Sequence, residues 1–562
     1  MDGVLVSISI IIGISAILAI VARAIKQPPM IGYLIAGVLV GPFAFNLINP
    51  DSSQIITIFA HIGIALLLFI VGLSLDFRVL KEMGRVAILA GVVQVLLTAI
   101  VGYFIVLQLG FSITSAVYIG LALSFSSTVV VVKILSDKKE IDTLHGRIAL
   151  GILIIQDFIA ALALMTIPII QENSGMNAIY SKVGLAMALI VGVILISVFV
   201  IQRFLNYLAR NQEALFLFGI AWALTLAALF DSLGFSLEIG ALMAGISLAS
   251  SKYTLELGGK IKPLRDFFIV LFFIFLGSQL SPPITSIMIK NALILSAFVI
   301  IGKPLIVMII LKLFGYKKRV NFFAGVSLAQ VSEFSLILLL VGFNLGQISQ
   351  ENMSLLVLIS IFTIGISSYF LYYANRIFNK CSFMLNIFEG NKEEGMLSKK
   401  EEFDVILFGY HRIGYKLLKT LKQMKAKVLV VDYNPKVILQ LSKEKINCVY
   451  GDACDPEFLR EIELEKAKLV ISTVTDEESN LTIEDYLKYT NSEAVFIATA
   501  EQPRQAMDLY EKGIDYVIVP HHLGGDLFST IVKAFKTEKA KYHDLGKQHY
   551  HELKKAKDSS SF

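Results

Sequence analysis

Thirteen apolar runs, each of ~20 residues and long enough to cross a bilayer, follow one another over the first 380 residues. They lie near 4–24, 28–46, 54–75, 84–108, 113–135, 146–170, 180–202, 214–230, 236–250, 265–281, 291–313, 320–345 and 352–376. Only 17% of the 562 residues are charged and 56% are hydrophobic, whereas a soluble chain carries roughly 25% charged residues. So many apolar side chains need a bilayer rather than water as their solvent. The run from Val4 is too long for the core of a cleavable leader and reads as the first span. A formal net charge of +5 makes no case for a nucleic-acid partner.

Cations gather in alternate loops: Arg23 and Lys26, then Arg78, Lys81 and Arg85, then Lys138, Lys139 and Arg147. The same alternation continues with Arg203 and Arg210, with Lys252, Lys260, Lys262 and Arg265, and with Lys317, Lys318 and Arg319. The intervening loops hold only Lys182 and Lys290. Basic loops stay in the cytoplasm, so the N-terminus is expected outside and the C-terminus inside, as an odd number of spans requires.

Past Lys380 the composition changes. Four segments are expected: a transmembrane domain over 1–380, a linker over 381–402, an α/β nucleotide-binding domain over 403–540 and a polar, partly mobile tail over 541–562. Cys381, Cys448 and Cys454 all fall in this last third and read as reduced thiols of a cytosolic segment.

Six spans, one span and six more would make the second six an inverted copy of the first. The fifth span of each half is unusually polar: Ser124-Phe125-Ser126-Ser127-Thr128 in one, Gln330-Val331-Ser332-Glu333-Phe334-Ser335 in the other. Inverted-repeat transporters interrupt matching helices near the midplane and use the freed backbone groups for ions. Ser and Thr can also merely bond back to their own helix, but two such stretches at matching positions, one holding Glu333, favour an ion site.

Asp157 stands inside the sixth run with no charged neighbour along it. A carboxylate in hydrocarbon is costly, so it must face the interior and hold a proton or a cation. The metal expected here is a monovalent cation. Gln156 beside it cannot titrate, so a site built on Asp157 alone exchanges one charge for one. Lys303, before Pro304, is another deep ionisable group. It could pair with Asp157 or Glu333, or lie against the carbonyl ends of the broken helices.

In the C-terminal part Asp404–Phe408 reads as a strand and Gly409-Tyr410-His411-Arg412-Ile413-Gly414 as a glycine turn opening a helix. A second strand ends at Asp432, at the spacing where an acid binds a ribose hydroxyl. Gly451-Asp452-Ala453 ends a third strand, with Asp452 placed for the adenosine end of a nucleotide. His411 replaces the middle glycine of the fingerprint, with Arg412 available as a phosphate partner. Both a nucleotide site and a fold kept without its ligand therefore stay open. The regulatory ligand expected is NAD(H), AMP or ATP, with no catalytic cofactor and no enzymatic activity.

Several further stretches carry a likeness: Gly32–Gly37 with Gly41-Pro42, Phe69–Leu73, Ser126-Ser127-Thr128, Gln156-Asp157, Ala241–Ser250, Phe272–Gly277, Lys303 and Gln330–Phe334. In this order the chain resembles the second monovalent cation–proton antiporter family, and within it the Kef-type potassium efflux systems, with a nucleotide-binding domain of the potassium-conductance-regulating type. The resemblance implies a polytopic α-helical protein of the cell inner membrane, dimeric, with Asp157 binding the ion and the Gln-Asp pair marking electroneutral potassium–proton exchange. It departs from the Kef pattern at Ser74 and His61 and in the loop Glu256–Pro263. There Gly258 and Lys260 replace expected acids, so glutathione gating is not implied. His61 reads as a packing residue rather than a proton relay. Other readings are sodium–proton exchange, a nucleotide-gated channel and a membrane oxidoreductase. The channel lacks a Thr-Val-Gly-Tyr-Gly filter and the oxidoreductase lacks a catalytic constellation.

Overall fold

The computed structural model describes residues 2–558 except 48–49, 75–83, 139, 142, 171–183, 186–187, 190, 194, 202–203, 206–210, 234, 250, 391–401 and 411–412. Two compact units divide near Lys392 and Glu393. Among its described residues the first has only helices as regular structure: α1 (Asp2–Ala24), α2 (Pro29–Val40), α3 (Pro50–Ser74), α4 (Gly84–Gln108), α5 (Ile113–Ser124), α6 (Thr128–Asp137) and α7 (Leu144–Ile170). After partly described helical residues between 184 and 205 come α8 (Gln212–Ser232), α9 (Leu237–Leu248), α10 (Thr254–Ser278), α11 (Ser286–Ala297) and α12 (Lys303–Leu313). The unit closes with α13 (Lys318–Ser327), α14 (Glu333–Asn344), α15 (Gln350–Tyr372) and α16 (Ala374–Leu385). Among the described residues, eight helical stretches are long and apolar enough to cross a membrane, and three shorter apolar helices accompany them.

A shift of 205 residues carries the start of α5 (113) onto that of α13 (318), the start of α6 (128) onto that of α14 (333), and the end of α4 (108) onto that of α12 (313). The halves are thus repeats, each with one interrupted helix. Their close contacts repeat as well. A Cβ on Gly37 would meet the backbone of Ile274 and Gly277 at 2.1–2.9 Å, and one on Gly72 would meet Leu242 and Gly245 at 2.4–2.9 Å. So α2 lies backbone to backbone on α10, and α3 on α9. In hydrocarbon, where packing rather than water expulsion drives association, small residues permit that approach.

Pro304 cannot donate to the ladder. The turn before it, Phe298–Gly302, accordingly widens to π geometry, with Lys303 N donating to the Phe298 carbonyl.

Two expectations are corrected. Glu256–Pro263 is not a loop but the first turns of α10. Leu257 and Ile261 are fully buried and pack over Gly219 of α8, which outweighs two glycines and a proline. Residues 381–388, assigned to the linker by composition, continue α16 and a short 3₁₀ turn, because Phe378 and Leu385 recur on a face packed on α13. The tail is helical over α23 (Lys539–Asp558), a stretch rich in strong helix formers.

The second unit is a six-stranded parallel sheet: β1 (Val405–Phe408), β2 (Val428–Asp432), β3 (Cys448–Tyr450), β4 (Leu469–Ser472), β5 (Val495–Thr499) and β6 (Tyr516–Ile518). Its order is β3-β2-β1-β4-β5-β6. The connecting helices are α17 (Gly414–Gln423), α18 (Pro435–Lys443), α19 (Pro456–Glu461), α20 (Glu477–Tyr489) and α21 (Pro503–Glu511), followed by α22 (Pro520–Phe535) and α23. This is a doubly wound, Rossmann-like sheet whose order reverses between β1 and β4, where such sheets bind ligands.

Candidate functional site

Both helix breaks are built by their serines. The chain runs extended through Phe125 and Ser127, and the Ser127 hydroxyl caps α6 by accepting from Val130 N at 3.4 Å. In the second half Ser332 caps α14, accepting from Phe334 N at 3.1 Å, while the Ser335 hydroxyl accepts from Ser332 N at 3.2 Å. Each break leaves backbone carbonyls without helical donors, and the opposite half supplies replacements. Ser126 Oγ donates to the Leu328 carbonyl at 3.0 Å, and Ser335 Oγ to the Ala122 carbonyl at 2.5 Å.

Lys303, fully buried, donates from Nζ to the carbonyls of Phe125 at 2.8 Å and Gln330 at 3.0 Å. Of the partners the sequence left open, it takes the carbonyls of the two breaks. Its charge lies against the negative ends of the half-helices α5 and α13.

Asp157 keeps part of its surface accessible, whereas Gln156 beside it is fully buried. The Thr128 hydroxyl, in the first turn of α6, donates to Asp157 Oδ2 at 2.9 Å. Glu333 opens α14 at the position that the repeat equates with Thr128, and its carboxyl interacts electrostatically with Asp157. Its Oε2 lies 3.5 Å from the Ser332 hydroxyl. All eight expected residues (Ser126, Ser127, Thr128, Gln156, Asp157, Lys303, Ser332 and Glu333) thus fall in one assembly around the crossed breaks.

Gln94 of α4 is a further member that the sequence did not single out. It is fully buried, and its Nε2 donates to the Ser124 carbonyl at 3.2 Å and Thr98 Oγ1 at 3.0 Å. Its Oε1 accepts from Gln156 Nε2, while Gln156 Oε1 accepts from Ser126 N at 2.9 Å. Gln156 is therefore a crosslink between α4, α7 and the first break. Gln330 belongs to the polar stretch of the second break. It reaches the Ser127 carbonyl at 3.5 Å, and its Oε1 accepts from Ser367 at 2.9 Å. Gln94→Leu leaves Gln156 Nε2 and the Ser124 carbonyl without partners, at about 1–3 kcal/mol each. A lowered thermal midpoint of the detergent-solubilised protein is the expected reading.

In the second unit Gly409 has φ +84°, and a Cβ there would come within 2.6 Å of Thr473 Oγ1. A Cβ on Gly414 would come within 2.1 Å of the Gly409 carbonyl, so both glycines are required by the turn. Ile413 precedes α17 directly. Asp432, buried at the end of β2, accepts from Tyr410 N at 2.9 Å and from Asn434 N at 2.8 Å. It therefore closes the turn with the carboxylate expected to meet a ribose. Asp452 accepts from Cys454 N at 2.9 Å, and Ala453 is buried. His411 and Arg412 lie outside the described residues.

Crossed broken helices around a carboxylate, in a bundle of inverted halves, define a secondary ion transporter. Residues 10–371 match the transmembrane sodium/hydrogen exchanger family and residues 405–520 the TrkA-N domain. The chain belongs to the sodium/hydrogen exchanger family of cation/proton antiporters, with a C-terminal TrkA-N domain. It is 27% identical over 521 residues to the provisionally assigned cation/proton antiporter YbaL of Escherichia coli K12, covering 90% of this chain and 92% of that one. The glutathione-regulated potassium-efflux system protein KefC of Escherichia coli is 27% identical over 522 residues, 91% of this chain and 82% of its own. K(+) efflux antiporter 5 of Arabidopsis thaliana is 32% identical over 338 residues, 59% of each chain. Among solved structures, the sodium proton antiporter MjNhaP1 of Methanocaldococcus jannaschii aligns with 68% of this chain and 99% of its own, at 15% identity and a TM-score of 0.49.

Proposed function

We propose that the chain exchanges potassium for protons, one for one, across the cell inner membrane, with Asp157 as the group that holds either ion. The observation that carries this reading is the contrast between neighbours: Asp157 keeps accessible surface beside Thr128, while Gln156 is buried and both ends of its amide bond to protein. Of this pair only Asp157 can titrate, and its occupation by H⁺ or K⁺ is mutually exclusive. Ser126, Ser127 and Ser332 hold the breaks, Lys303 neutralises their carbonyl ends, and Glu333 biases the field at Asp157. Relatives named for potassium efflux include a plant antiporter and the KefC protein, which favours potassium over sodium. In vesicles carrying an internal pH dye, potassium and rubidium pulses should move protons faster than sodium. Faster flux with sodium would favour the sodium reading.

The TrkA-N domain is proposed to regulate exchange by binding NAD(H), AMP or ATP at Gly409–Gly414, between β1 and β4, with Arg412 on phosphate and Asp452 toward adenosine. At least one of NADH, NAD, AMP and ATP should raise the thermal midpoint, and Gly414→Ala should abolish that shift. No shift with any of the four would favour a domain that has lost its ligand. A homodimer fits α22: none of its residues is buried, and Leu523, Leu527, Phe528 and Val532 are exposed in one apolar band. Glutathione control is not proposed, because Gly258 and Lys260 replace the expected acids.

A further inference from the structure

Helix α16, which follows the last span, has two faces with opposite surroundings. Ala374, Phe378 and Leu385 are buried in a cluster with Phe322 and Phe323 of α13. On the other side, Arg376, Lys380, Phe383, Met384 and Ile387 recur at i, i+4, i+7, i+8 and i+11, the spacing of a single helical face. Phe383 is 88% exposed, Met384 75% and Ile387 70%, and both cations are exposed as well. Between Ala374 and Phe388 there is no acidic residue.

An exposed apolar patch of this kind needs something to cover it, and its neighbour says what. Leu305, Ile309 and Leu313 form an exposed stripe along α12, the lipid-facing side of a span. At the end of that stripe Lys312 Nζ donates to the Ile387 carbonyl at 2.7 Å, joining the patch to it. Cations and large apolar side chains on one exposed face, continuous with a span, make up the pattern of a helix lying in the headgroup layer.

We propose that α16 and its following turn lie in the membrane interface, with Phe383, Met384 and Ile387 among acyl chains and Arg376 and Lys380 drawn to anionic phospholipid. This rests on the membrane assignment of the first unit and not on the antiport reading. Among its ties to α13 are two hydrogen bonds and a cation–ring contact. Lys318 Nζ donates to Asn386 Oδ1 at 2.5 Å, Asn321 Nδ2 donates to the Phe388 carbonyl at 2.9 Å, and the Arg319 guanidinium sits 5.2 Å from the Phe378 ring.

Tryptophan placed on this face tests the proposal. In the full chain with its single tryptophan removed (Trp222→Phe), Phe383→Trp or Ile387→Trp would be reconstituted into phosphatidylcholine–phosphatidylglycerol vesicles. Ile309→Trp is the lipid reference and Tyr489→Trp, on the exposed end of α20, the water reference. Acyl-brominated lipid should quench both α16 tryptophans within about twofold of Ile309→Trp and well above Tyr489→Trp. Brominated phosphatidylglycerol should quench more than brominated phosphatidylcholine. Removing Arg376 and Lys380 as glutamines should erase that excess, each cation contributing a preference of roughly fivefold. Quenching by aqueous iodide as strong as at Tyr489→Trp would overturn the proposal, and so would shielding from both quenchers, which would mean cover by protein. Equal quenching by the two lipids would overturn its anionic part.

Discussion

Vesicles carrying Asp157→Asn show no cation-driven proton flux above the leak of protein-free vesicles. Asparagine is nearly isosteric and still accepts from the Thr128 hydroxyl, which bonds Asp157 Oδ2 at 2.9 Å in the native chain. What it cannot do is carry a negative charge in one state and a proton in the other. Gln156, uncharged and crosslinked to Gln94 and Ser126 N, cannot take its place. The fold should not suffer, because an ionised carboxylate is the costlier group to hold inside the membrane. A thermal midpoint equal to or above that of the native protein, alongside lost flux, separates a functional loss from misfolding.

Lys303→Met has the opposite signature. The ammonium bridges the Phe125 and Gln330 carbonyls, one from each break. Methionine fills similar volume but donates nothing, so two buried carbonyls lose their partner at about 1–3 kcal/mol each. No longer burying a charge offsets part of that. The thermal midpoint should fall by several degrees and the transport rate should drop as the crossing of the breaks loosens. The number of charges moved per cycle should not change, because Lys303 meets carbonyls rather than Asp157. Lys303→Arg should not restore the native rate, since a planar fork on a longer stem does not fit two carbonyls set for a compact ammonium. A changed charge per cycle in Lys303→Met, measured by the voltage dependence of flux, would mean that the lysine takes part in ion exchange.

How much of this could be read from residues alone depended on whether the signal was local. Asp157 stood out because a lone acid in an apolar run has no cheap explanation. The breaks stood out because serines cluster at two matching positions, and the structure makes those serines caps. Lys303 was visible as an anomaly, but its partners are 178 and 27 residues away along the chain, and nothing in the spacing selects carbonyls over carboxylates. Gln94 was missed for the same reason: one glutamine in a span gives no hint of Gln156, 62 residues on. The first turns of α10 read as a loop because Glu256–Pro263 is a polar stretch between two apolar runs, at the place of the loop the resemblance implies. Burial of Leu257 and Ile261 over Gly219 is a tertiary reason that overrides this pattern. The glycine fingerprint was legible, and the turn requires it, since Gly409 has a positive φ and Gly414 touches its carbonyl. The second role of Asp432, closing that turn through Tyr410 N 22 residues away, is a tertiary contact that spacing does not show.

The most direct measurement sets a potassium gradient against a pH gradient in reconstituted vesicles and imposes a voltage with a second, non-transported ion. If one potassium ion and one proton compete for Asp157, flux vanishes whenever the two gradients are equal, at every voltage, and reverses on either side of that point. A balance point that shifts with voltage would contradict one-for-one exchange at a single carboxylate.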